Sequence, residues 1–166
     1  FPILEGKYRP GHFLGVVTVI IRFLEIIRPG YAYFGLKDFQ QYLVVKRAAA
    51  LYFPSCSVVG IPTVREESGL ALSSRNLRLD TDEIITAVAI SQALLEVAQK
   101  KGTTPLLPLL QAKKAGLIEL GFNVEYISVH SSVDLSEVTD WQAGGDYVVL
   151  CAAHLAGVRL IDNIIF

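Results

Sequence analysis

The segment Tyr31-Ala32-Tyr33-Phe34-Gly35-Leu36-Lys37-Asp38-Phe39-Gln40-Gln41 decides the fold. Its first five residues are typical of a short buried strand, and the residues after Gly35 predict a helix that runs to about Tyr52. Pro54 closes this helix, and residues 57–60 predict a second buried strand. Because a strand, a helix and a strand follow one another, we expect parallel strands joined by a right-handed crossover.

The residues before this segment predict a loop and then one long helix. Residues 1–11 contain several helix breakers, and Pro29-Gly30 ends the element that follows. Apolar side chains recur at helical spacing between His12 and about Arg28, which predicts a helix with most of its surface buried. The β-branched run at residues 16–21 also permits a strand.

A helix is predicted downstream of the second strand by a capping-box pattern. Asp80 precedes Glu83 by three residues, and Gly102 ends the helix. Its core-facing stripe is expected to consist of Ile84, Ile85, Val88, Ala89, Leu95 and Ala98.

The last third of the chain predicts one more helix and three strands. The helix begins at Thr104-Pro105 and ends at Gly121. The strands are expected at residues 123–129, 147–153 and 158–164, with Ala156-Gly157 at a hairpin turn. Two helices against a small antiparallel sheet form an α+β lobe.

Composition narrows the class of protein. The 166 residues are 52% hydrophobic and 19% charged, which is enough apolar content for one core or two small ones. No apolar run approaches the ~20 residues that a membrane span needs, and a net charge of −1 gives no electrostatic reason to expect nucleic acid or an anionic membrane. Cys56 and Cys151 lie in no metal-binding pattern, so we expect buried thiols rather than a disulfide.

Two segments carry polar groups suited to phosphate. Gly35 ends a predicted strand and Lys37 follows at the helix start, which is how α/β folds place a cation beside a nucleotide. The segment Gly69-Leu70-Ala71-Leu72-Ser73-Ser74-Arg75-Asn76 adds two hydroxyls, a guanidinium and an amide, with no acidic residue among them. By itself, this second segment is more often an ordinary polar loop.

Five segments together resemble the pantothenate synthetase (pantoate–β-alanine ligase) family. They are L-E-G-x-x-R-P-G-H-F, F-G-x-K-D-F-Q-Q, P-T-V-R-E, G-L-A-L-S-S-R-N and R-L-I-D-N, in family order from Leu4 to Asn163. The resemblance implies an α/β fold. A partial doubly wound parallel sheet of a Rossmann-like nucleotidyltransferase domain would occupy residues 1–62, and a small α+β domain residues 63–166, with the Ser-Ser-Arg-Asn phosphate loop at the junction.

The resemblance also implies a reaction and a set of site residues. ATP and pantoate would form pantoyl adenylate, and β-alanine would then give pantothenate and AMP, in the biosynthesis of pantothenate and coenzyme A. The implied catalytic residues are Lys37, Ser73, Ser74 and Arg75. The implied ATP site adds Gly35, Asp38, Val64 and Leu72 to these four residues, Gln41 matches the pantoate-binding glutamine, and His12 is a possible further site residue.

Several of these residues have an ordinary structural alternative. Lys37 could be an ordinary surface lysine, and Gln41 an exposed glutamine of the helix. Val64 and Leu72 could simply pack in the core. Asp38 could be a carboxylate that stabilises a helix start, and His12 a helix-cap histidine. His130 and His154 match nothing catalytic, so we expect them to be structural or exposed.

The expected ligands are small molecules. ATP would be a substrate and would bring Mg²⁺, held mostly by phosphate oxygens and water, while the sequence shows no metal ligand of its own. Pantoate and β-alanine complete the partners, with no nucleic acid and no membrane. The complete enzyme is expected to be a cytoplasmic homodimer.

Two departures from the family pattern bear on activity. Leu36 stands where the family usually has glutamate, which puts charge pairing there in doubt. The family's upstream half, with its histidine-containing nucleotide signature, is absent from this sequence, which begins Phe1-Pro2 and contains no methionine. We therefore expect this chain to be a downstream portion of the enzyme and to be inactive alone. A second interpretation is that methionines were lost from the sequence, because the helix after Gln41 is one residue short of the family pattern.

Two competing functions stay open. One is another adenylyl-transferring enzyme of the same superfamily, against which Gln41 argues because a glutamine there suits the pantoate pocket. The other is a non-catalytic fragment that keeps the motifs without turnover.

Overall fold

The computed structural model describes residues 2–166 and divides the chain into two compact units, the first ending at Thr63 and the second comprising Val64–Phe166. Phe1, which falls in the predicted loop and first domain, lies outside the described residues. The elements of the first unit are helices α1 (Glu5–Tyr8), α2 (His12–Ile27) and α3 (Phe39–Tyr52) and strands β1 (Tyr31–Gly35) and β2 (Ser57–Ile61). The short helix α1 lies where a loop was expected.

Strands β1 and β2 form a parallel pair, as the order of elements predicts. Tyr31 lies opposite Ser57 and Gly35 opposite Ile61, so the carboxyl ends of both strands meet at one edge. The prediction that β1 and β2 are buried is wrong, because no residue of β2 is buried and Tyr31 and Tyr33 of β1 are each 64% exposed. Alternate side chains of a strand point to opposite faces, and these two share a face that solvent reaches.

Helix α2 has the predicted bounds but not the predicted burial. It runs from His12 to Ile27, so the strand alternative for residues 16–21 is wrong. Leu24 is its one buried residue, while Leu14 and Ile26 are 75% and 78% exposed. The apolar surface of α2 is wider than the side that α3 covers. Because one packed helix shields only one side of another, the rest of this apolar surface stays exposed.

A 3₁₀ turn, Leu36–Asp38, separates β1 from α3, so the helix predicted from Lys37 becomes α-helical only at Phe39. Gly60 of β2 makes room beside this turn. A Cβ atom at Gly60 would lie 2.5 Å from Leu36 Cδ2 and 3.3 Å from Tyr42 Cε2. Leu36 therefore packs closely against the neighbouring strand.

The second unit is an α+β lobe, as predicted. Its elements are a 3₁₀ helix (Ser74–Arg78), helices α4 (Thr81–Gln99) and α5 (Leu106–Glu119) and strands β3 (Asn123–Ser131), β4 (Tyr147–Leu155) and β5 (Val158–Ile165). The strands form an antiparallel sheet with β4 in the centre, and every residue of β4 except His154 is buried. Ala156 and Gly157 join β4 to β5 with φ values of 47° and 76°, the left-handed pair that a two-residue hairpin favours.

The predicted capping box opens α4. The Asp80 carboxylate accepts a hydrogen bond from Glu83 N at 2.9 Å, and the Glu83 carboxylate accepts one from Asp80 N at 2.8 Å. The predicted stripe is partly wrong, because Ile85 is 68% and Leu95 48% exposed. The buried residues are Ala87, Ile90, Ser91, Ala93, Leu94 and Val97, and Ile84, Val88 and Ala89 pack partly buried beside them. An apolar helix offers several stripes of similar spacing, so spacing alone does not select one.

Both cysteines are buried free thiols, as predicted. Cys151 is 1% exposed in the core of the second unit, and Cys56 is 8% exposed in the first. Burial chiefly raises the pKa of Cys151 to about 12, and the nearby carboxylates of Asp162 and Glu125 add to this. No helix within residues 2–166 has the length and apolarity to cross a bilayer.

Candidate functional site

The carboxyl end of β1 holds three of the predicted ATP-site residues. Gly35 has extended backbone angles, and nothing lies within 4 Å of the position its Cβ would take. The backbone geometry therefore does not require glycine here, and the open space beside Gly35 leaves room for a ligand. Lys37 is half-buried in the following 3₁₀ turn, and Asp38 is exposed.

Two adjacent glutamines of α3 have different surroundings. Gln40 is 2% exposed; its Oε1 accepts from Glu5 N at 3.0 Å and its Nε2 donates to the Ile3 carbonyl at 3.1 Å. Gln41 is half-buried, and no group within residues 2–166 hydrogen-bonds to its side-chain amide. Gln40 therefore ties α3 to the start of the chain, a role that the sequence did not reveal, whereas the amide of Gln41 can still accept or donate to a ligand.

His12 is placed by contacts around the first two helices. It follows Gly11, which has a φ of 79°, and its Nε2 lies 3.0 Å from Arg9 Nη1. Because a guanidinium only donates, Nε2 accepts in this pair. Arg9 also lies 3.6 Å from the carboxylate of Glu5, which is 8% exposed. These contacts give His12 a structural setting, but Gly11 is the N-cap and no described side chain caps α2, so the helix-cap alternative is wrong. The part of His12 in a site stays a prediction.

Residues 64–72 form a short hairpin that leads into the predicted phosphate loop. Arg65 and Ala71 form an antiparallel bridge, and Leu72 N donates to the Val64 carbonyl at 3.0 Å. The side chains of Val64 and Leu72 are 62% and 49% exposed, so the apolar-packing alternative does not describe them. Because the Leu72 N–H is already bonded, the expected contact with adenine would use other main-chain groups of this pair.

The four polar residues that follow divide into two kinds. Asn76 is 8% exposed and its amide donates to the Ala71 carbonyl at 3.1 Å, so it is a structural residue rather than a phosphate donor. Ser73 Oγ accepts from Arg75 N at 3.2 Å and caps the 3₁₀ helix, which leaves its hydroxyl proton able to donate. Ser74 is exposed, and the half-buried Arg75 has no hydrogen bond or ion pair to its guanidinium from the described residues.

A buried ion pair, which the motifs alone did not reveal, joins the hairpin to β5. Arg65 donates to both carboxylate oxygens of Asp162, at 2.7 and 2.9 Å. It also donates to the carbonyls of Gly69 at 3.0 Å and Asn163 at 3.1 Å. The sequence offered one signal for this contact: P-T-V-R-E and R-L-I-D-N both match the family, and their residues Arg65 and Asp162 had no assigned role.

The histidines of the second unit are structural, as predicted. His130 is 4% exposed, with Nδ1 2.9 Å from the Leu135 carbonyl and Nε2 3.0 Å from Ser128 Oγ. Burial holds the pKa of His130 below its ordinary value, although the Leu135 carbonyl and Glu137 oppose this. His154 pairs with Glu125 at 2.9 Å. No cluster of three or more His, Cys, Asp or Glu side chains within residues 2–166 could hold a metal ion.

A parallel strand pair that ends in glycine and lysine, together with an α+β lobe that carries a serine–arginine loop, defines an α/β protein of the nucleotidyltransferase type. The model of the pantoate–β-alanine ligase family matches residues 2–165. The chain therefore belongs to the pantoate–β-alanine ligase family.

Individual relatives agree with this assignment. Pantothenate synthetase of Shewanella amazonensis is 42% identical over 98% of this chain. The crystal structure of pantothenate synthetase from Thermus thermophilus is 39% identical over 98% of the chain, with a TM-score of 0.88. Pantoate–β-alanine ligase from Francisella tularensis, in a complex with β,γ ATP and β-alanine, is 32% identical over 99%, with a TM-score of 0.72. The chain spans 58%, 59% and 54% of the lengths of these three proteins.

Proposed function

We propose that this chain takes part in the ATP-dependent condensation of pantoate with β-alanine to pantothenate, through pantoyl adenylate. The observation that carries the proposal is the state of Arg75. It is a cation matched to the family's phosphate loop, and no carboxylate within residues 2–166 neutralises it. A half-buried guanidinium without an internal partner is suited to bind an anion.

The proposed reaction needs no covalent intermediate on the protein. A carboxylate oxygen of pantoate attacks the α-phosphorus of ATP, and the bond to pyrophosphate breaks. The β-alanine amine then attacks the acyl carbon, AMP leaves, and the amine loses a proton. The protein positions the reactants and stabilises charge that develops on phosphate oxygens.

Each residue of the candidate site has its own proposed role. Lys37 would stabilise the phosphates from the turn after β1, beside the open space at Gly35. Ser73, Ser74 and Arg75 would donate to the triphosphate. The Gln41 amide would bind pantoate. The roles of Val64 and Leu72 at adenine, of Asp38, and of His12 are proposed from the family resemblance.

The family also supports proposals about ligands and context. The relative from Francisella tularensis was solved with an ATP analogue and β-alanine, which supports both as substrates here. Mg²⁺ would enter with ATP, held by phosphate oxygens and water, with the exposed Asp38 as a candidate for its outer shell. A cytoplasmic homodimer with no nucleic-acid or membrane partner completes the proposal.

The test uses two preparations, because the chain covers only part of its relatives. One is the 166-residue chain, and the other is a chimaera in which it replaces the matching portion of the Shewanella amazonensis enzyme. We expect the chimaera to release pyrophosphate from MgATP when pantoate is present, and pantothenate when β-alanine is added. A folded chimaera that releases none would indicate a non-catalytic chain, and release with a different acceptor would indicate another adenylyl-transferring enzyme.

A variant pair then tests Lys37 inside the chimaera. Lys37→Ala should slow single-turnover formation of pantoyl adenylate by about 10²–10³ and leave pantoate affinity nearly unchanged, because it removes one preorganised charge-stabilising group. The matched control is Lys46→Ala, which removes an exposed lysine of α3. Equal rates for the two variants would rule out the role of Lys37.

A further inference from the structure

Two family-matched segments meet in the second unit through residues that have no assigned role. Arg65 belongs to P-T-V-R-E and Asp162 to R-L-I-D-N, 97 residues apart in the sequence. Their side chains form a bidentate ion pair, with Arg65 Nη1 2.7 Å from Asp162 Oδ2 and Arg65 Nη2 2.9 Å from Asp162 Oδ1. A planar guanidinium can match both carboxylate oxygens at once, which fixes orientation as well as distance.

Both members of the pair make further hydrogen bonds. The Asp162 side chain is 6% exposed and also accepts from Asn163 N at 2.8 Å. Arg65, whose side chain is 26% exposed, donates to the Gly69 and Asn163 carbonyls as well as to Asp162. Asp162 neutralises the charge of Arg65, and both Nη groups of Arg65 already donate within this arrangement, so we do not assign Arg65 as a phosphate ligand.

The position of the pair connects β5 with the phosphate loop. The main chain of Arg65 forms a bridge with Ala71 on the other strand of the 64–72 hairpin. Its side chain donates to the Gly69 carbonyl in the turn of the same hairpin. The Ala71 carbonyl in turn accepts from Asn76, inside the 3₁₀ helix that contains Ser74 and Arg75. A continuous series of buried or half-buried contacts therefore leads from β5 to the candidate phosphate donors.

We infer that Arg65 and Asp162 are positioning residues for the phosphate loop. Their pair anchors the hairpin to β5 and thereby holds Ser73, Ser74 and Arg75 in the arrangement that receives the triphosphate. The inference rests on the proposed function. Preorganisation is costly to lose, because a displacement of about 1 Å in a catalytic group can reduce a rate by about 10².

The chain provides a matched control on the same strand. Arg159 of β5 makes a comparable two-pronged pair with Glu125, with Nη2–Oε2 at 2.7 Å and Nε–Oε1 at 3.1 Å, and both side chains are 16% exposed. This pair joins β5 to β3 and does not involve the hairpin. Arg65→Lys and Arg159→Lys therefore remove the same geometry from two places, and both keep the charge.

The first measurement is single-turnover adenylate formation in the chimaera. Arg65→Lys should slow it at least tenfold at saturating ATP and pantoate, with a small change in KM, while Arg159→Lys should leave it unchanged. Asp162→Asn keeps the acceptor for Asn163 N and should act like Arg65→Lys. An unaltered rate in Arg65→Lys, or equal losses in both lysine variants that follow the folded fraction, would overturn the inference.

The second measurement is hydrogen exchange of the 166-residue chain, which needs no activity. Arg65→Lys should speed exchange across residues 64–78 and leave β4 protected, whereas Arg159→Lys should not affect residues 64–78. Unchanged exchange across residues 64–78 in Arg65→Lys would also overturn the inference. A wild-type chimaera without adenylation would reject the proposed function instead, so the two failures are distinguishable.

Discussion

The two units use similar apolar sequences but bury them to different extents. In the second unit, α4 and α5 lie against an antiparallel sheet, and Val148 and Val149 of β4 are fully buried. In the first unit, Ile26 of α2 is 78% and Tyr33 of β1 64% exposed. Successive side chains of a strand point to opposite faces, so β4 is covered on both faces, whereas α2 and β1 each leave one face open to solvent. Burial therefore depends on the cover that an element receives and not on its own composition.

The largest expected effect tests the core of the second unit. Leu94→Ala should lower the free energy of unfolding by about 2–5 kcal/mol, because it leaves a cavity in a close-packed core. Leu94 is 0% and its neighbour Leu95 48% exposed, so Leu95→Ala is a matched control that should cost far less. Trp141, the single tryptophan, lies against Tyr147 in this unit, and its fluorescence in a urea titration reports the transition. Equal losses in the two variants would contradict the described burial.

The next effect tests the packing of Gly60 beside Leu36 in the first unit. Gly60→Ala should destabilise this unit by about 1–3 kcal/mol, because the new methyl would overlap Leu36. Gly30→Ala is the control, since nothing lies within 4 Å of its Cβ position. Hydrogen exchange of peptides from α3 and β2 measures the change, and Leu36→Ala should rescue Gly60→Ala. If Leu36→Ala did not restore stability, overlap with Leu36 would not be the cause of the loss in Gly60→Ala.

The alkylation rates of the two buried cysteines allow a direct comparison of the two units. Cys56 lies in a small buried cluster with Leu24 and Ala49, whereas Cys151 lies in the large core of the second unit. Alkylation of either needs local opening, so we expect Cys56 to react at least about ten times faster, equivalent to about 1.4 kcal/mol. Mass spectrometry of a labelling time course measures both rates. The two thiols should react alike in urea, and equal rates in the native chain would remove the contrast between the units.

The smallest effect concerns pH and the second unit alone. Because the pKa of His130 is lower in the folded state than its ordinary value of 6.5, folding is favoured while the ring is neutral. This contribution is complete above pH 6.5 and is lost as the pH falls towards the lower folded pKa. His130→Gln should flatten the decrease in the urea midpoint of Trp141 fluorescence below pH 6.5. Parallel pH profiles for wild type and variant would show that His130 does not contribute.

Local signals in the sequence predicted the elements well. The capping box at Asp80 and Glu83 and the turn at Ala156 and Gly157 depend on residues within a few positions of one another, so the sequence displays them directly. The burial of α2 was not predictable, because the spacing of apolar residues identifies a helix but not the extent of its cover.

The sequence names candidate site residues but does not give their arrangement. The motifs selected Gln41 and Arg75, and the structure leaves both side chains able to bind a ligand. The motifs also placed Asn76 among the donors, although its amide is used internally. The pair of Arg65 and Asp162 was hidden because no local rule relates residues so far apart.

That separation has a consequence for the order of folding. Strands β4 and β5 are joined by two residues, so their hairpin can form early from local contacts. The pair of Arg65 and Asp162 closes a loop across 97 positions, which costs more chain entropy and must wait for β5. During synthesis, Arg65 leaves the ribosome well before its partner. We therefore expect the phosphate loop to be the last part of its unit to take shape, and to be open to proteases until β5 has emerged.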